Sequence, residues 1–152
     1  MFEYIIVFLI SMIPFTEYLF SVPAAIIVFR LSPVVSTIVI IIGNILSVLI
    51  FVFLGDKIRQ LYYKIRKQKE EKPRKEVNPK LRKYYERFGV PGLSTLGTFF
   101  VSSQLTAMAI TTFESSRGKA VFWVNLSVIV FSIILAILSV FAEDWISSQL
   151  SL

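Results

Sequence analysis

Glu17 is the only charged residue between Tyr4 and Phe29. An ionisable side chain inside an apolar membrane segment is costly and marks a candidate functional group. A carboxyl there suits proton exchange or ion binding. Pro23 removes a backbone hydrogen bond in the same stretch and belongs to the same candidate site. A polar counterpart, Ser102-Ser103-Gln104 followed by Thr106, lies in a second uncharged stretch from Val90 to Phe113. These side chains can bond to a substrate headgroup, to each other, or to carbonyls freed where a helix breaks. Asn44 and Asn125 put one amide each into two further apolar stretches, where tethering a neighbouring segment competes with substrate contact. Arg30 closes the first stretch, and Arg117 with Lys119 follows the second. These cations suit an anionic headgroup, Arg117 in particular, or serve as ordinary helix-end anchors.

Much other chemistry is excluded. The 152 residues contain no cysteine and no histidine. That removes disulfides, zinc and haem ligation, thiol chemistry and the Ser-His-Asp arrangement. No nucleophile–base pair is visible, so neither an enzyme nor a metal or cofactor site is expected. The net charge of +6 is local, with thirteen of the sixteen Lys and Arg lying between Lys57 and Arg87. This is not the basic face of a nucleic-acid binder.

The elements that must position these groups are four apolar stretches: 4–29, 33–54, 90–113 and 120–142. Each exceeds the ~20 residues needed to cross a bilayer core. Backbone in lipid must satisfy its own hydrogen bonds, so the expected fold is an all-α integral membrane protein. Stretches 33–54 and 120–142 read as simple spanning helices. Stretch 4–29 is interrupted by Pro14 and Pro23. Stretch 90–113 carries Pro91, Gly92 and Gly97 ahead of its polar run. Both read either as kinked spans or as broken, re-entrant hairpins.

Charge bears on that choice. Lys and Arg accumulate in cytoplasmic loops, which places residues 56–89 in the cytoplasm. Four full spans would put thirteen basic residues inside and three outside; two re-entrant hairpins put fifteen inside and only Arg30 outside. The second arrangement is expected, as two inverted-topology halves, each one hairpin plus one spanning helix. The division is 1–55, a basic cytoplasmic segment 56–89 and 90–152. A faint repeat agrees: Asn44 to Phe51 resembles Asn125 to Phe131, with Asn44 lying 21 residues after Pro23 and Asn125 lying 21 after Gln104. The N-terminus lacks a basic n-region, so the first stretch is expected to remain in the mature chain.

The cytoplasmic segment has a pattern of its own. Ile58, Leu61, Tyr62 and Ile65 recur at helical spacing until Pro73. Asn78-Pro79 then reads as a helix start, with Leu81, Tyr84, Tyr85 and Phe88 on one stripe and Gly89 as C-cap. The stripe suits the membrane interface, while the charges suit either anionic lipid or a solvated linker.

At these residues the chain resembles the small multidrug export protein family, related to the DedA superfamily. The resemblance is carried by Pro14 to Ile26 with its Glu-then-Pro pattern, by Gly43-Asn44, by Phe88-Gly89-Val90-Pro91-Gly92-Leu93 and by Ser102-Ser103-Gln104. The chain has Phe100 to Gln104 where that family carries Pro-Gly-Thr-Gly, and no arginine inside the second hairpin. The resemblance implies facing re-entrant hairpins and transport, in DedA relatives of a polyprenyl phosphate or another lipid. The expected function is a membrane transporter or flippase of a small amphiphilic or lipid-like molecule, proton-coupled through Glu17. The alternative is a membrane scaffold whose basic segment binds anionic lipid or a partner protein. Two spanning helices enclose little volume, so a homodimer is expected.

Overall fold

The computed structural model describes residues 1–65, 79–113 and 116–150, with backbone alone at 55–65, 79–81, 112–113 and 150. The side chains of the Ile58, Leu61, Tyr62, Ile65 stripe, Leu81, the stop at Pro73 and the start at Asn78 lie outside the described residues. The described chain is helical and contains no strand: α1 (Phe2–Ser11), α2 (Glu17–Pro23), a π-helical turn (Ala24–Val28), α3 (Pro33–Ile65), α4 (Pro79–Phe100), α5 (Ser103–Phe113) and α6 (Arg117–Leu150).

Local chemistry explains where the helices stop. α1 ends before Pro14, and the chain turns through Phe15 at φ 73. The Thr16 hydroxyl donates to the Ile10 carbonyl at 3.0 Å across that turn. Pro23, by contrast, stays inside a helical path. The turn after it widens to the π form, with Phe29 N–H bonded to the Ala24 carbonyl at 3.0 Å; such a widening accommodates a local disruption. Arg30, at φ 49, then turns the chain towards α3. In the later stretch Pro91 and Gly92 remain helical. The bend is at Gly89 (φ 65, ψ −167), a conformation glycine adopts without a Cβ penalty. The break between α4 and α5 falls at Val101–Ser102.

The helices run alongside one another in a definite sense. Gly43 on α3 lies against Phe8 and Ser11 of α1, and Ser47 lies against Met12, so α1 and α3 advance in the same direction. Leu93 shares a core cluster with Val124, and the Phe99 and Phe131 rings are 5.3 Å apart, so α4 and α6 also advance together. α3 and α6 run oppositely: Ile40 clusters with Val128, whereas Val48 and Val52 cluster with Ala120 and Val124. Asn44 and Ser47 thus fall between two apolar clusters.

α3 and α6 contain the long apolar windows Pro33–Leu54 and Arg117–Gln149, with mean hydropathies of 2.8 and 2.7. Only 39% and 28% of these windows are buried. Apolar helices that leave most of their surface exposed, including Ile38, Ile42, Ile133, Ile137 and Phe141, suit a hydrocarbon surround rather than water.

Candidate functional site

Two broken helices deliver their ends to one point. Glu17 opens α2, Ser103 opens α5, and the loop residue Ser102 stands immediately before it. Glu17 is 2% exposed, and it is the only Asp, Glu, Lys or Arg among the buried described residues. Its carboxylate accepts the Ser103 backbone N–H at 3.0 and 3.1 Å. Its Oε1 also lies 2.5 Å from the Ser102 hydroxyl, and the Asn44 amide N–H donates to Oε2 at 3.4 Å. The carboxylate therefore sits at the N-terminus of α5, where unpaired backbone N–H groups and the helix dipole favour an anion.

Around this pair the remaining polar groups interlock. The Ser103 hydroxyl lies 2.9 Å from Asn44 Oδ1 and 3.3 Å from Gln104 Oε1. The Ser102 hydroxyl lies 2.8 Å from Gln104 Oε1. The Gln104 amide donates to the Ser47 hydroxyl at 2.9 Å and, weakly, to the Met12 carbonyl at 3.5 Å. Ser47 in turn donates to that carbonyl at 2.7 Å. The Met12 carbonyl is one of the acceptors the end of α1 leaves without a helical partner, and it is satisfied here by side chains from α3 and α5. Hydrocarbon satisfies no such group, so broken ends at membrane depth must be buried against protein or water.

Tyr18 holds the assembly from the far side. It is fully buried, donates its phenol hydrogen to the Thr98 carbonyl at 3.1 Å and stacks on Phe131 at 6.4 Å between ring centroids. It thereby joins α2 to α4 and α6.

Of the residues the sequence singled out, the structure gathers Glu17, Asn44, Ser102, Ser103 and Gln104 into this cluster. Thr106 is buried one turn further along α5, at the level where α4 has Gly97. Pro23 lies at the other end of α2. Arg30, Arg117 and Lys119 are exposed and stand outside the cluster. Asn125 does not join it either, and its Oδ1 is buried with no hydrogen-bond partner. The equal 21-residue offsets of the two asparagines therefore do not correspond to equal positions. Ser47, the Met12 carbonyl and Tyr18 enter the site without having been singled out as site residues. Ser47 stands three residues after Asn44 on the same helix face, which is the signal that would have found it.

No curated protein and no solved structure matches this chain. A protein-family model does match, over residues 17–134, from the buried glutamate through most of the apolar part of α6. That span covers more than half of the chain and contains every side chain of the cluster. This protein, two of whose helices are long and apolar enough to cross a membrane, belongs to the family described as "Putative small multi-drug export protein".

Proposed function

We propose that this protein is a proton-coupled membrane transporter of a small amphiphilic or lipid-like molecule, with Glu17 as the coupling group. The observation that carries this reading is a buried carboxyl joining two broken-helix ends; with α3 and α6 as spanning helices, this junction would lie well inside the membrane. Coupling-ion and substrate sites of secondary transporters are built at such ends. The family's export description agrees with transport. The substrate class rests on the surroundings: Tyr18, Val22, Ile26, Ile40 and Val128 pack beside the cluster, and Glu17 is the only buried charge among the described residues. Such apolar surroundings suit an amphiphile better than a densely charged solute.

The same reading takes α1 with α2, and α4 with α5, as re-entrant hairpins in two inverted halves. Three observations support it. α1 advances beside α3, so a chain that turns back at Pro14 and leaves through α2 and the π turn returns to the side it entered. α4 and α6 repeat that relation. α3 and α6 oppose each other. This arrangement makes the protein multi-pass, and the thirteen Lys and Arg between Lys57 and Arg87 assign residues 56–89 to the cytoplasmic side.

The test is transport by protein reconstituted in phosphatidylcholine vesicles, using a fluorescent amphiphile as probe under an imposed pH gradient. Glu17→Gln keeps size and packing and removes the titratable proton. It is expected to abolish gradient-driven movement while the protein stays folded. Normal gradient-driven transport by Glu17→Gln would sink proton coupling through this residue. If transport fails in the native protein but liposome binding depends on the charges at 57–87, the scaffold reading takes its place.

A further inference from the structure

The hydrogen atoms in the cluster can be counted. Four oxygen–oxygen pairs lie within hydrogen-bond distance: Ser102 with Glu17 Oε1 at 2.5 Å, Ser102 with Gln104 Oε1 at 2.8 Å, Ser103 with Asn44 Oδ1 at 2.9 Å and Ser103 with Gln104 Oε1 at 3.3 Å. Each hydroxyl supplies one hydrogen, and carboxylate and amide oxygens supply none. An ionised Glu17 therefore leaves two hydrogens for four pairs, and at least one of the three short pairs has none.

The orientation of Gln104 is set from outside this group. Ser47 commits its only hydrogen to the Met12 carbonyl. Its contact with Gln104 must then be donated by the amide nitrogen, which turns Oε1 towards the two serines. Turning the Asn44 amide does not remove the shortage. It satisfies Ser103 through nitrogen but sets Asn44 Oδ1 against Glu17 Oε2, and the Ser102 hydrogen still has two acceptors.

One additional hydrogen on Glu17 resolves the count. The carboxylic acid donates from Oε1 to Ser102, Ser102 donates to Gln104, and Ser103 donates to Asn44. Three hydrogens fill the three short pairs, and the pair left over is the longest. We propose that the joined state of the two helix breaks is the protonated state of Glu17, and that loss of this proton through Ser102 parts them. The proton leaves to water admitted as the breaks separate. This deepens the reading of Glu17 as the coupling group and rests on it for its bearing on transport. The carboxyl sits at the N-terminus of α5. Among the described residues α1, α3, α5 and α6 bring no buried charged side chain to it, and the neighbouring Tyr18 phenol is engaged by Thr98.

The sign follows from the count. The joined state binds one proton more than the parted state, so joining is favoured as pH falls and lost as pH rises, with a limiting change of about tenfold in the joined-to-parted ratio per pH unit. The chain has no native cysteine, so spin labels can be placed at Phe15→Cys and Val101→Cys, exposed positions at the two breaks. Their separation, measured by pulsed electron resonance in phosphatidylcholine vesicles, is to be titrated beside the infrared band of protonated Glu17.

The two signals are expected to change together. Glu17→Gln, whose amide supplies a permanent donor, is expected to stay joined at every pH. Ser102→Ala removes the competing pairs at Glu17 and is expected to make joining independent of pH. A label separation that ignores pH while the carboxyl band titrates overturns the proposal, as does a pH dependence that survives in either variant. No substrate enters the measurement. Failure of transport coupling, read from the vesicle assay, and failure of this inference are therefore separate results.

Discussion

Ser47 contributes two hydrogen bonds to the site from a helix that otherwise reads as lipid-spanning. Ser47→Ala leaves the Met12 carbonyl and one Gln104 N–H without their closest partners in a buried setting. An orphaned buried group costs roughly 1–3 kcal/mol. The variant is expected to melt earlier in detergent and to keep the Glu17 contacts; an unchanged melting temperature would remove Ser47 from the account. Tyr18→Phe tests the far side. It removes the bond to the Thr98 carbonyl but keeps the ring against Phe131. A loss of about 1 kcal/mol is expected, measurable in the same melt. Glu17 and Ser102 to Gln104 were legible in the sequence because polarity is conspicuous in an apolar run. Ser47 and Tyr18 were not, because a lone serine in a membrane helix reads as small-residue packing and a tyrosine beside phenylalanines reads as bulk.

Close approach of helices is what brings these side chains within reach. A Cβ at Gly43 would collide with the Ser11 hydroxyl and come within 2.9 Å of the Phe8 carbonyl, and backbone yields less readily than a side-chain end. Gly43→Ala is therefore expected to push α1 from α3, lengthen the Ser47–Met12 bond and cost about 1–3 kcal/mol. Retained stability together with faster hydrogen exchange in α1 would show that the helices part cheaply. Gly97 plays the matching part between α4 and α5, where a Cβ would meet Thr106 at 2.6 Å. The breaks themselves were only half legible. Pro14 ends α1 as a helix-interior proline should. Pro23 does not end α2, since the π turn absorbs the disruption, and Pro91 is harmless because Gly89 has already bent the chain. The site of the second break, at Val101–Ser102, had no proline or glycine to announce it; the buried bonds of Ser102 and Ser103 to Glu17 hold it there.

At the scale of the whole molecule, the proposed inverted halves make a topological commitment. The turn carrying the exposed Ser116 is expected on the same face of the membrane as residues 57–87. A Ser116→Cys variant should react with an impermeant maleimide only from that face, and labelling from the opposite face alone would require four full spans. The all-helical class and the two long apolar helices followed from hydropathy. The pairing of the two breaks is a long-range event that periodicity does not report. Glu17 meets Ser102 and Ser103 across 85 and 86 residues of chain. That separation has a consequence in time. At about 5–20 residues per second, a ribosome takes roughly 4–17 s to produce the donors after it has produced the carboxyl. Through that interval the first half must wait, with the carboxyl in surface water, against the insertion machinery or paired within its own half to Asn44. A chain stopped after α3 would carry the acid with Asn44 alone, lacking the Ser102 and Ser103 partners.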